Sequence, residues 1–348
     1  MYANLFKRTY YYIGICAFAL VGILTLSSNA AQPGIYNSGG TSFNLLYEED
    51  SSSYNKIQMQ EELVLVQLYP GFAVVKGNYQ MLNTSNEELH LRMGYPVNGI
   101  YNSTSSMASD FQIDSLYAFD IKLNGIYLED SLLDFSSSNY NNLNSNNWHI
   151  WELDFKANET ALVEVHFIVA TNDAKIVQGY NSSRHNAFIY LFESGKTWTK
   201  NIEKARLAIQ LMGGVQLKDI AGLANSFPLS YNENFKILYG ETSHFSPTEN
   251  DNFIISYLEH EENFDMEEVM KNKENYIQEI SKFPLASIDF TEQNQQEFGD
   301  PFEAEKSPLS FLASILIYLA ILSPFILGFL ALLLVFFILR KLLKKNHA

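Results

Sequence analysis

The stretch "EELVLVQLYPGFAVVKGNYQML", residues 61–82, decides the reading of this 348-residue chain. Two apolar runs flank Pro70-Gly71. That pair favours a turn, because Pro presets one backbone angle and Gly accepts a positive φ. From here to about residue 262 the dominant hydrophobic period is two, that of strands with one buried face.

The same grammar repeats. "NTSNE" (83–87) separates the second run from "LHLRMGYP" (89–96). "FDIKLNGIYLE" (119–129) carries Asn124-Gly125 between alternating runs, a strong signal for a type I′ hairpin. "HIWELDF" (149–155) and "ALVEVHFIVAT" (161–171) read as a further hairpin joined by residues 156–160. "AFIYLFE", "ARLAIQLM", "FKILYG" and "FIISYLEH" supply more strands between 187 and 260. The 21 Tyr and 25 Phe suit half-buried pleated surfaces. Many short strands without interleaved long helices predict a mainly β fold: one or two antiparallel β-sandwiches, immunoglobulin-like in character. Residues 59–170 form the first half or domain and 171–262 the second, after a flexible lead over 31–58. "DMEEVMKNKENYIQEISKF" (265–283) has near-helical spacing, so an amphipathic helix is expected over 263–283, either packed on the sandwich or forming a stalk. Asp265 and Glu268 resemble a capping pair at its start. Residues 284–308 read as an acidic tether.

The two ends speak of a membrane. Residues 309–339 contain no charge and exceed the roughly 20 residues that a helix needs to cross a bilayer. Pro324 sits near the middle and is a candidate kink. Arg340, Lys341, Lys344 and Lys345 follow in the tail, residues 340–348, and the positive-inside rule keeps that tail cytoplasmic. At the other end Lys7 and Arg8 precede an apolar core, "IGICAFALVGILTL" (13–26). Small residues follow, so residues 1–30 read as a signal peptide with a cleavage site after Ala30, an uncleaved signal anchor being the alternative. The single cysteine, Cys16, would leave with it. An exported domain without cysteine fits a bacterial envelope better than a eukaryotic secretory route. The expected location is the inner membrane, with the bulk of the chain periplasmic or extracellular. The four Asn-X-Ser/Thr sites (Asn83, Asn102, Asn158, Asn181) then reflect an Asn- and Ser-rich composition.

Six of the 23 basic residues lie outside residues 31–306 and none of the 39 acidic ones does. That span therefore holds 17 cations against 39 anions, a net charge of −22. Such a surface opposes nucleic acid, which needs a positive face.

The segment 61–96 resembles the opening of bacterial exported proteins grouped as a domain-of-unknown-function family. These begin with a strand bearing "EEL", continue with a strand ending in Asn-Thr, and close on a strand ending in an aromatic residue and Pro. "FESGKTWTKNIEKARLAIQL" (192–211) resembles their later Trp-bearing segment. The resemblance covers about a sixth of the chain. It implies a membrane-tethered, β-rich exported protein and brings no catalytic residues.

Chemical signatures are sparse. There is no G-x-S-x-G, P-loop or G-x-G-x-x-G motif, and His260-Glu261-Glu262 lacks the second His of a zincin helix. No motif calls for a cofactor or metal. Strand residues His90 and His166 are expected on polar faces, in solvent or singly hydrogen-bonded. Trp148, Trp151 and Trp198 are the candidate ligand-binding residues. Flat rings can stack on a glycan, although a core position is the ordinary one. The acidic loops Glu48-Glu49-Asp50 and Glu249 to Asp251 lack EF-hand spacing. The reading that follows is a single-pass membrane-anchored β-sandwich, a non-catalytic interaction or accessory module whose partners are membrane lipid through 309–339 and an envelope protein or glycan. The alternatives are an envelope hydrolase with its site dispersed over loops, and an accessory subunit of a membrane signalling or transport complex.

Overall fold

Pro70-Gly71 closes a tight hairpin: Tyr69 pairs with Phe72, and Gly71 takes φ +86. Asn124-Gly125 does the same, with φ of 49 and 82 as a type I′ turn requires. The computed structural model describes residues 55–287 apart from short gaps. It also describes short strands between residues 34 and 45, Phe298, and helical residues between 322 and 338.

The first strands are β1 (Gly34–Tyr36), β2 (Gly39–Thr41), β3 (Asn44–Leu45), β4 (Ile57–Tyr69), β5 (Phe72–Asn83) and β6 (Leu89–Tyr101). Next come β7 (Phe111–Ile113), β8 (Leu116–Leu123), β9 (Ile126–Tyr127), β10 (Ser131–Asp134), β11 (Leu143–Phe155), β12 (Thr160–Ala170) and β13 (Ala174–Gln178). The rest are β14 (Asn181–Tyr190), β15 (Ile202–Leu211), β16 (Ile220–Ala224), β17 (Ser230–Asn232), β18 (Ile237–Phe245) and β19 (Phe253–Glu259).

They make three sheets. The main one has eight strands in the order β17-β18-β15-β4-β5-β12-β8-β9. A five-stranded sheet runs β10-β11-β6-β3 with β7 on β6, and a six-stranded sheet runs β1-β13-β14-β19-β16 with β2 on β14. Buried side chains from one face of the main sheet and from both smaller sheets share one core, among them Val64, Val66, Phe167, Leu207, Leu91, Trp151, Phe188 and Ile255. The fold is thus mainly β and layered. An eight-stranded sheet facing two smaller ones differs from an immunoglobulin sandwich, which divides seven to nine strands between two sheets. Strands from 59–170 and from 171–262 lie side by side in the main sheet, and residues 32–303 form one compact unit.

Two expectations are corrected. The sheets are not purely antiparallel: β15 runs parallel to β4, and β2 parallel to β14. Nor do β11 and β12 form a hairpin. β11 pairs with β6 and β10, whereas β12 pairs with β5 and β8, so residues 156–159 carry the chain from one sheet to another. A short polar connection reads alike in sequence whether it folds a strand back or turns a corner.

The expected helix is two helices, α1 (Met266–Lys271) and α2 (Lys273–Ser281), broken at Asn272, whose backbone leaves the helical region. Asp265 caps α1 by accepting from the Glu267 amide at 2.9 Å. The helices pack on the sandwich: Val269, Ile280, Met266, Met270 and Ile277 cover Leu65, Tyr69, Phe72 and Val74 on the outer face of the main sheet.

A second unit comprises residues 1–31 and 304–348. Its described residues are helical at 322–324, 327–331 and 333–338. Leu327, Phe329, Leu330, Leu334, Phe336 and Phe337 are each more than half exposed there. Pro324 lies in helical backbone. Among the described residues no helix is long and apolar enough to cross a membrane. The signal-peptide expectation, with Lys7 and Arg8, and the cationic tail Arg340, Lys341, Lys344 and Lys345 lie outside the described residues, as do Glu48-Glu49-Asp50 and most of the acidic tether.

Candidate functional site

The most unusual chemistry lies inside the core. Ile57 and Met59 face the core from β4, and the register then slips between Met59 and Glu61. An extra residue at such a bulge reverses which side chains face inward. Beyond it Val64, Val66 and Leu68 are the core residues, and Glu62 falls on their side of the strand. Its neighbour Glu61 points the other way and pairs with Arg206 at 2.6 Å on the outer face.

Glu62 is 2% exposed. Three tyrosines surround it: Tyr79 from β5, Tyr95 from β6 and Tyr190 from β14, all fully buried. Tyr190 donates to Glu62 Oε1 at 2.7 Å, Tyr79 and Tyr190 share a hydrogen bond of 2.9 Å, and Tyr79 contacts Tyr95 through their hydroxyls. Each tyrosine has a single proton to give. Tyr190 gives its proton to Glu62, so Tyr79 donates to Tyr190 and Tyr95 to Tyr79. The chain of donors ends at the carboxyl group. Gly77 makes room for it: a Cβ there would lie 2.4 Å from the Tyr79 hydroxyl.

Glu62 Oε2 is buried and has no hydrogen-bond partner among the described residues. Burial away from water penalises the charged form and pushes the Glu62 carboxyl up to about 7, while the Tyr190 hydrogen bond pulls it back only in part. The tyrosines are raised far above the usual phenol range, chiefly by burial. The cluster can hold or release a proton at Glu62. Its four side chains are sealed from solvent. A cavity of about 220 Å³ between Leu223, Phe227, Leu229 and Phe298 lies elsewhere, and among the described residues no titratable side chain lines it.

A second buried polar centre stitches the corners between sheets. Asn83, fully buried, donates to the carbonyls of Glu87, Phe155 and Lys156 and accepts from the amide and hydroxyl of Ser85. Its burial removes it as a glycan acceptor in the folded chain.

The tryptophans do not form a platform. Trp148, Trp151 and Trp198 are at most 5% exposed, so none presents a ring face to a glycan. Trp151 stacks near Tyr95 at 6.2 Å, and Trp198 packs at the end of a 3₁₀ turn. The histidines do not meet either. His90, on β6, is exposed and bonds Asp154 at 2.7 Å; His166, on β12, is buried rather than in solvent and is singly hydrogen-bonded, to Asp120 at 3.0 Å. Asp251 spends its carboxylate capping the turn after Thr248. Among the described residues no three metal-binding side chains converge.

Sequence reasoning missed Glu62 and its tyrosines. A signal was present: stepping back by twos from Leu68 through Val66 and Val64 arrives at Glu62, on the apolar side.

No protein family matches the chain, and no curated relative does. Among solved structures, a Legionella pneumophila protein named as a candidate nutrient-binding protein is similar over 65% of this chain and 72% of its own, at 14% identity and a TM-score of 0.47. An M1 zinc metallopeptidase from Deinococcus radiodurans is similar over 58% of this chain at 8% identity and a TM-score of 0.30, and the chain spans only 42% of the peptidase. Similarity at this level assigns neither a fold nor an activity.

Proposed function

We propose that the chain is a membrane-anchored β-protein of the bacterial envelope, exported ahead of a single C-terminal span over 309–339 and acting as a non-catalytic interaction or accessory module. One observation carries the reading: the apolar side chains exposed on the helical residues 327–331 and 333–338. A contiguous exposed apolar surface is unfavourable in water and favourable in a hydrocarbon core. The uncharged run of 309–339 and the four cations after it give that surface a length and an orientation.

The non-catalytic part of the reading rests on the interior. Among the described residues Glu62 is the acid whose environment is most strongly perturbed, and it is enclosed by Tyr79, Tyr95 and Tyr190 rather than lining a cleft. The remaining surface, with its excess of acid, suits contact with an envelope protein or glycan.

The test is fractionation with a topology reporter. The full chain is expected to stay in the membrane pellet through alkaline carbonate, and a chain ending at residue 308 to leave it. A reporter fused after Ala348 is expected to be active only on the cytoplasmic side. Activity only on the exterior side, or recovery of the intact chain in the soluble fraction, overturns the proposal.

A further inference from the structure

Glu62 and its three tyrosines join all three sheets. Glu62 and Tyr79 belong to the main sheet, Tyr95 to the five-stranded sheet and Tyr190 to the six-stranded sheet. Other buried hydrogen bonds between sheets join two sheets at a time: Asn186 of β14 accepts from the Gly71 amide, and Tyr257 of β19 donates to the Tyr69 carbonyl. Here four polar groups from three sheets form one chain of hydrogen bonds, and its end lacks a partner at Oε2.

We infer that this cluster is a proton-controlled clasp: with Glu62 protonated the three sheets are pinned together, and loss of that proton loosens the junction.

The argument is geometric first. A neutral carboxyl can accept from Tyr190 at Oε1 while its own proton sits on Oε2, so it places no charge in the core. An ionised one places a full charge there, with a single donor at 2.7 Å to offset the loss of water. Among the described residues no cation pairs with Glu62. The titratable groups facing Glu62 are Tyr79 on β5, Tyr95 on β6 and Tyr190 on β14, and its cross-strand partner on β15 is Ala205. The nearby pair Glu61–Arg206 is on the opposite face of the sheet. Opening the junction lets the carboxylate reach water.

The direction of the pH effect follows from linkage. In an opened junction Glu62 ionises near its ordinary value of 4.5, and in the closed one near 7. Between these values opening releases a proton, so it becomes about tenfold easier per pH unit. Below the window both states hold the proton, and above it neither does.

The experiment is amide hydrogen exchange on the full chain in detergent, read as protection factors for β4, β5, β6 and β14 from pH 4 to 9, with the Glu62 carboxyl followed by ¹³C resonance. Protection in these strands is expected to fall about tenfold per unit across the window and level above it, with the carboxyl titrating near neutrality. In Glu62→Gln the dependence is expected to vanish. In Tyr190→Phe, which removes the donor to the carboxylate, the levelling is expected to move up by about a unit. A Glu62 carboxyl that titrates in the ordinary carboxylate range overturns the inference, and this reading needs no variant to fold. So does an unchanged pH profile in Glu62→Gln.

Discussion

Asn83 and Glu62 are two polar side chains buried in the same main sheet, and they are satisfied in opposite ways. Asn83 stands where the chain leaves the sheet, and backbone carbonyls surround it. Its amide donates to three of them, and its carbonyl oxygen accepts from Ser85 twice. Glu62 stands in mid-strand, where the backbone groups are already paired along the ladder. It must find partners among side chains, and it finds one. A corner supplies spare hydrogen-bonding groups and a strand interior does not, so the same depth of burial is stabilising at one position and conditional at the other. If this is right, Asn83→Ala should be the more damaging change. It takes the side-chain donor from the Phe155 carbonyl and one of two donors from the Lys156 carbonyl, and it releases two corners at once. The expected loss is about 4 kcal/mol, measurable by denaturant unfolding of the full chain in detergent. A loss below about 1 kcal/mol would erase the contrast.

Glu62 should behave conversely, because its contribution depends on pH. The folded-state value is raised above the unfolded one, so stability is fully present below about 4.5 and declines as pH rises to about 7. The whole decline is of the order of 3 kcal/mol. Glu62→Gln should remove that dependence and leave a protein whose unfolding midpoint is nearly the same at pH 5 and pH 8. Equal slopes in the two proteins would place the proton elsewhere.

How much of this was legible in the sequence turns on local against distant information. Pro70-Gly71 and Asn124-Gly125 gave their hairpins because the turn geometry is written in two adjacent residues. The β-rich class followed from a period of two. The parallel pairing of β4 with β15 was not legible, because it joins residues some 140 positions apart, such as Glu61 and Lys204. The corner at 156–159 was misread as a hairpin for the same reason: its meaning lies in Asn83, on another strand. The site was half legible. The alternation from Leu68 back to Glu62 was there, but the bulge after Met59 hid it by making the start of the strand read in the other phase. The tryptophans took the ordinary core position, and their binding role stayed open in the sequence because an aromatic residue beside a polar loop has the same pattern in a core and on a binding face.

Gly77 offers the finest probe of the comparison, because changing it alters the surroundings of Glu62 without removing a polar group. In an open strand, replacing Gly by Ala is stabilising by roughly 0.5–1 kcal/mol, since Ala has less backbone freedom to lose. Here an added Cβ would lie 2.4 Å from the Tyr79 hydroxyl and 2.7 Å from two atoms of its ring. The ring is fully buried and hemmed in by Tyr95 and Tyr190, so it cannot swing clear. The sign should therefore reverse, with Gly77→Ala destabilising by about 2 kcal/mol. Moving the Tyr79 hydroxyl also breaks the donor chain at its second link. Tyr190 would then bond Glu62 without support from behind, and the carboxyl should ionise at a higher pH. A Gly77→Ala protein that is more stable than the parent would show that Tyr79 has room to move. The tyrosine chain would then be an accident of packing, and the distinction between the corner and the strand interior would lose its second half.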